Sequence, residues 1–182
     1  MLMNKDNSLL LIIDVQERLV TAMDSPREVI NCCAKLVSVA KRLNIPFLIT
    51  EQYPKGLGQT IVDVRQAAGT DAGYFEKLEF SVMRNEKIAA AVKNSGKKQV
   101  VIAGVETHIC VLQTAMELAE QGYAVFVVSN ACSSRENLQH AFALQRMARN
   151  GIDVVSSEMV IFEWLEKAGT EEFKEISRKY VI

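Results

Sequence analysis

Short apolar runs punctuate the chain at Leu9 to Asp14, Phe47 to Thr50, Val100 to Gly104, Ala124 to Ser129 and Ile152 to Ser156, with a weaker one at Tyr74 to Lys77. Each has strand length, and the runs are continuous rather than alternating, which predicts strands buried on both faces. Between them, Pro26 to Leu43, Glu86 to Ser95, Thr107 to Gln121 and Glu136 to Asn150 carry apolar residues at three- and four-residue spacing, the period of helices with one buried face. Gly122 and Gly151 stand where such helices stop. Strand and helix alternate along the chain, so the expected architecture is α/β: a three-layer α/β/α sandwich around a mostly parallel six-stranded sheet. No linker, internal repeat or low-complexity tract interrupts the pattern, and residues 1–182 read as a single domain.

In such a sheet the residues closing the strands gather at one edge, where α/β proteins place their ligands. The first strand closes on Asp14, with Gln16 just beyond. A carboxylate ending an apolar strand costs several kcal/mol of desolvation unless it is paired, so Asp14 calls for a partner or for a role capping the next helix. The second strand runs into Glu51-Gln52-Tyr53-Pro54-Lys55-Gly56-Leu57-Gly58, a candidate pocket wall. Lys77 ends the weak strand, where a functional cation and an ordinary surface lysine read alike. The strand at Val100 to Gly104 leads through Val105-Glu106-Thr107-His108-Ile109 to Cys110 at a strand-to-helix junction. A thiol there is placed for chemistry, but a small buried hydrophobe would occupy the same position.

Composition narrows the class of ligand. At 182 residues and 49% hydrophobic content the chain can bury a sizeable core without disulfides or a structural metal. The 21 cationic and 22 acidic residues leave a formal charge of −1 with no basic run, which argues against nucleic acid or an anionic membrane and for a small-molecule substrate. No run is long enough to span a bilayer, and Met1 to Ser8 is too short and polar for a signal peptide. Cys32, Cys33, Cys110 and Cys132 lack C-x-x-C spacing and are expected to be reduced, so the cytoplasm is the expected compartment. His108 and His140 form no H-x-x-x-H or H-x-H pair, so neither a metal nor another cofactor is expected.

Taken in order, Leu11-Ile12-Ile13-Asp14-Val15-Gln16, then Glu76-Lys77 before Phe80-Ser81, then Gly104-Val105-Glu106-Thr107-His108-Ile109-Cys110-Val111 resemble the isochorismatase-like, or cysteine hydrolase, superfamily over essentially the whole chain. The 51–58 segment and Ser133-Ser134-Arg135 are further similar to the short isochorismatase domain-containing hydrolases. The resemblance implies a Rossmann-like fold and a catalytic triad of Asp14, Lys77 and Cys110. It implies an oxyanion hole from the backbone amides of Glu106 and Cys110, with the Val105–Glu106 peptide cis. In that scheme the Lys77 ammonium and a helix N-terminus favour the Cys110 thiolate, and Asp14 carries protons in both half-reactions.

Gln16, Gln52, Tyr53, Phe80 and Val105 are the pocket candidates. The aspartate and two histidines that hold a metal in the superfamily's nicotinamidases are missing after the second strand, which disfavours nicotinamide. Retention of Cys110 favours hydrolysis of an amide or ureido C–N bond through a thioester. The alternatives are vinyl-ether hydrolysis, as in isochorismatases, and a non-catalytic relative that binds a metabolite or protein. By analogy the protein is a homo-oligomer, dimer or higher, with small-molecule substrate. His108, Arg84, Arg135 and Cys132 are assigned to packing, solvent or local ion pairs, Trp164 equally to core, subunit interface or pocket wall, and Phe162 to Ile182 to packing on the domain or on a partner.

Overall fold

The computed structural model describes residues 1–70 and 72–180. The strands are β1 (Ser8–Ile13), β2 (Phe47–Gln52), β3 (Tyr74–Lys77), β4 (Gln99–Val105), β5 (Ala124–Ser133) and β6 (Asp153–Val155), joined in a 6-stranded sheet of order β3-β2-β1-β4-β5-β6. Every neighbouring pair is parallel, so the sheet is wholly rather than mostly parallel. The helices are α1 (Pro26–Arg42), α2 (Pro54–Leu57), α3 (Val62–Ala68), α4 (Glu86–Asn94), α5 (Leu112–Glu120), α6 (Asn137–Arg149), α7 (Ser157–Leu165) and α8 (Glu171–Tyr180).

The side-chain alternation of β1 builds the three layers. Leu10 and Ile12 join a core with α1, α3, α7 and α8 that includes Leu36, Val64, Trp164 and Ile176. Leu9, Leu11 and Ile13 point the other way, into a core with α4, α5 and α6 that includes Ile88, Leu118 and Met147. Each wholly buried Leu or Ile contributes roughly 1.5–3 kcal/mol through loss of water contact. Trp164 is core, its indole N–H donating to Ser8 Oγ at 3.0 Å. Phe173 and Tyr180 pack against the first core, so the C-terminal helices close on their own chain; Ile182 lies outside the described residues.

Several expectations change. β6 is an exposed edge rather than a buried strand, because nothing pairs beyond it among the described residues and Asp153 and Val154 face solvent. The stretch from Thr107 divides into a π-helical turn, Thr107–Val111, and α5. Helices α2, α3, α7 and α8 add to those the spacing indicated.

β5 outruns its apolar segment by crossing a bulge. Ile102 pairs with Val127 but Gly104 pairs with Cys132, so five residues of β5 span two of β4 before Ser133 rejoins Val105. Between the central strands the backbones crowd at Gly104, with φ 124°, where a β-carbon would stand 2.0 Å from the Ile13 carbonyl oxygen.

Candidate active site

Parallel strands bring their carboxyl ends to one edge, and the strand order reverses between β1 and β4. Asp14, just past β1, and Cys110, just past β4, therefore flank the same crevice. Asp14 takes a left-handed backbone, φ 55°, a conformation Asp tolerates better than most residues, and its amide donates to the Thr50 carbonyl at 3.1 Å. That turn aims its carboxylate back across the ends of β2 and β3.

Lys77 stands two strands away, roughly 10 Å at the usual inter-strand spacing, a gap a lysine side chain can span. Its Nζ donates to Asp14 Oδ2 at 2.7 Å, and both side chains are wholly buried. Nζ also donates to Gln52 Oε1 at 2.6 Å and to the carbonyls of Glu79 and Phe80 at 3.2 and 3.3 Å. Thr50 Oγ1 donates to the other Asp14 oxygen at 2.7 Å. These bonds satisfy a buried ion pair that desolvation alone would disfavour.

Cys110 is 5% exposed and lies close enough to Asp14 and Lys77 for both to act on its thiol. It lies in the π-helical turn, where the Val111 amide reaches back to the Glu106 carbonyl at 3.3 Å. Burial, and then the Asp14 carboxylate, push the thiol up to about 12, while Lys77 pulls it down without prevailing. This corrects the expected resting thiolate: the lysine's charge is already committed to Asp14, and an enclosed sulfur loses more solvation than the ammonium returns. Burial also raises the Asp14 carboxyl, against Lys77, Thr50 and Cys110, which lower it. The resting site holds a neutral thiol beside a carboxylate made more basic than usual.

Cys132, buried beyond the bulge, is likewise pushed to about 12 by desolvation. A thiol raised in the folded state keeps its proton there while the unfolded chain loses its own, so stability is complete below about pH 9 and falls as pH climbs towards 12. At ~1.4 kcal/mol per pH unit the full window is worth roughly 4 kcal/mol per thiol, to order of magnitude. Urea midpoints from pH 8 to 11 should fall more steeply for the wild type than for Cys110→Ala/Cys132→Ala. Parallel curves would show that these thiols titrate normally.

The pocket candidates separate. Gln16 is wholly buried and spent on the backbone: Nε2 donates to the carbonyls of Gln52 and Gly58 at 3.0 and 2.7 Å, and Oε1 accepts from the Gln52 amide at 2.7 Å. Val105 is buried in the core. Neither lines the cleft beside Tyr53. Gln52 holds Lys77, and Glu51 accepts from the amide and hydroxyl of Thr60 at 2.6 and 2.8 Å. Tyr53 and Phe80 are exposed, and Tyr53 lines a cleft of about 380 Å³ with Pro54, Lys55, Leu78, Glu79 and Asn85. Among the described residues, no three or more His, Cys, Asp or Glu side chains gather as a metal would require.

The turn before Cys110 carries one feature the resemblance implies and several side-chain ties the sequence does not reveal. The Val105–Glu106 peptide is cis. Glu106 Oε2 accepts from the Arg135 amide and Nε at 3.0 and 3.2 Å; Thr107 Oγ1 meets His140 Nδ1 at 2.8 Å, and His108 Nδ1 meets Ser134 Oγ at 2.8 Å. Arg84 pairs with Glu117 at 2.6 Å, so both arginines serve local ion pairs.

Comparison with known proteins places this geometry. The family model described as the isochorismatase domain matches residues 8–159, which contain Asp14, Lys77 and Cys110. The chain belongs to the isochorismatase family. Isochorismatase domain-containing protein 2 of Xenopus laevis is 34% identical over 172 residues, covering 94% of this chain and 82% of that one. The MAR1 ribonuclease of Caenorhabditis elegans superposes with a TM-score of 0.93 at 32% identity, covering 100% of this chain and 93% of that one. The YcaC gene product of Escherichia coli, an octameric hydrolase of unknown specificity, superposes with a TM-score of 0.92 at 26% identity, covering 100% and 91%. The superpositions show that the chain shares its α/β fold with these proteins over its whole length.

Proposed function

We propose that this isochorismatase-family hydrolase is a metal-independent cysteine hydrolase of one domain that cleaves the C–N bond of a small amide or ureido metabolite through a Cys110 thioester. The observation that carries the reading is the buried Asp14–Lys77 pair at 2.7 Å beside the Cys110 thiol, on which both charges act. Asp14 removes the thiol proton as sulfur attacks the carbonyl carbon, so the thiol need not ionise beforehand. The oxyanion is received by the backbone amides of Glu106 and Cys110, donors whose individual loss slows such reactions about a hundred-fold or more. Asp14 returns the proton to the departing nitrogen as the C–N bond breaks. It then takes a proton from water, whose hydroxide attacks the thioester, and restores the thiol as the acid leaves. Lys77 offsets the carboxylate's charge throughout.

The octameric YcaC product supports a homo-oligomer, and four free cysteines support the cytoplasm. The name ribonuclease belongs to the nematode protein; a formal charge of −1 without a basic run supports a small-molecule substrate here.

The raised Asp14 carboxyl favours one other reading, vinyl-ether hydrolysis with Asp14 as the proton donor. p-Nitrophenyl acetate separates the two. The expected result is a nitrophenol burst, one hydroxylamine-labile acetyl group on Cys110, and a loss of about a hundred-fold or more in Cys110→Ala and Asp14→Asn. Acetylation no faster at Cys110 than at Cys32 overturns the thioester and moves vinyl-ether chemistry, or metabolite binding without turnover, ahead.

A further inference from the structure

The residues preceding Cys110 are tied, one after another, to the segment that follows β5. Glu106 bonds Arg135, Thr107 bonds His140 and His108 bonds Ser134. That segment is itself fixed from two sides. Beyond the bulge, Cys132 and Ser133 pair with Gly104 and Val105, and the Ser134 carbonyl accepts the Asp24 amide at 3.0 Å from the loop before α1. The turn it holds is π-helical, a wider and less self-supporting form than an α-turn.

We propose that the first turn of α6, together with the connector from β5, positions the nucleophile, with Thr107 and His140 as positioning residues whose hydroxyl–imidazole bond sets the rotation of the turn carrying Cys110. This rests on the reading of Cys110 as the nucleophile. The bond fixes where the sulfur stands relative to Asp14 and where the turn's amides face.

Of the three ties, Thr107–His140 is the one to carry the effect. Thr107 is wholly buried, so its hydroxyl has no ready replacement in solvent. Arg135 is 62% exposed, and an ion pair of that kind holds geometry weakly. Burial lowers the His140 imidazole from its ordinary value, against a small opposing pull from Asp24, which favours the neutral ring at pH 7. A neutral ring can accept from the Thr107 hydroxyl or donate to it, so the bond forms in either tautomer.

Thr107→Val and His140→Leu remove the bond. Thr107→Ser keeps the hydroxyl, and His140→Asn keeps a polar atom near the Nδ1 position. The measurements are saturating acetylation of Cys110 by p-nitrophenyl acetate, the ester concentration at half-saturation, the pH profile of Cys110 alkylation by iodoacetamide, and the melting temperature. The expected result is a limiting acetylation rate about 10- to 100-fold lower in the Val and Leu variants, as for a displacement of about 1 Å. Half-saturation should stay within about twofold, and the Ser and Asn variants should recover most of the rate. The alkylation profile should shift in the Val and Leu variants alone. His140 is half-buried at the start of α6, so its arm does not share the folding liability of Thr107. Wild-type rates in the Val and Leu variants, or losses as deep in the Ser and Asn variants, overturn the proposal. If the wild type does not acetylate at Cys110, the hydrolase reading fails by itself. The alkylation profile then decides the positioning role, which an unchanged profile overturns.

Discussion

Gly104→Ala is expected to destabilise the protein by roughly 4 kcal/mol or more, combining overpacking with a strained positive φ. The added β-carbon would stand 2.0 Å from the Ile13 carbonyl oxygen and 2.7 Å from its amide nitrogen, both backbone atoms of the central strand. No side chain can rotate to make room, so β1 and β4 must part, and with them the two strand ends that carry Asp14 and Cys110. Gly122→Ala provides the control: its φ is also positive, at 83°, but nothing stands within 4 Å of the new carbon, so the cost should stay near 1 kcal/mol. Urea denaturation of the two variants measures the contrast. Equal midpoints would mean that the strands yield at Gly104.

Lys77→Ala should cost about 3–5 kcal/mol, because it leaves the buried Asp14 carboxylate without its counter-ion. The deficit has a pH signature. With the ammonium gone, burial raises the Asp14 carboxyl further. A carboxyl raised in the folded state contributes stability that is present below its unfolded value and lost as pH rises through the folded one. The gap between variant and wild type should therefore narrow from pH 8 to pH 5 in urea titrations. Asp14→Leu/Lys77→Met should regain most of the stability while Cys110 acetylation stays lost, separating the pair's structural cost from its chemistry. A double variant no more stable than Lys77→Ala would mean that the surrounding bonds from Thr50 and Gln52, rather than the charges, set the cost.

The sheet was legible because its inner strands are apolar on both faces, and Leu9 to Ile13 supply both cores by simple alternation. Asp14 and Lys77 were legible as residues that close strands, and Cys110 as a thiol at a strand-to-helix junction. Their meeting depends on strand order, which places β3 two positions from β1 and β4 beside it. The protonation of Cys110 was not legible, since a sequence shows a nearby lysine but not the loss of water that outweighs it. Gln16 looked like a site residue because a polar side chain beyond a buried strand either faces a ligand or binds backbone, and only the carbonyls of Gln52 and Gly58 decide which. The far half of β5 was hidden because Ser129 and Asn130 read as the end of a strand where the chain only bulges. The Thr107–His140 and His108–Ser134 bonds join residues too distant in sequence for any local pattern to mark.

The bulge also separates two histories within one strand. Before it, Val125 and Val127 belong to a core in which any shift of register would turn apolar side chains towards the wrong layer. After it, the strand is a short graft that meets the rest of the sheet at Gly104 and Val105 and ends among the side chains around the nucleophile. Residues 129–131 pair with neither β4 nor β6, so a change of length there would leave both registers in place. The fold can thus be inherited unchanged while the length of one bulge reshapes the surroundings of the thiol, a route by which a single scaffold could come to serve several substrates.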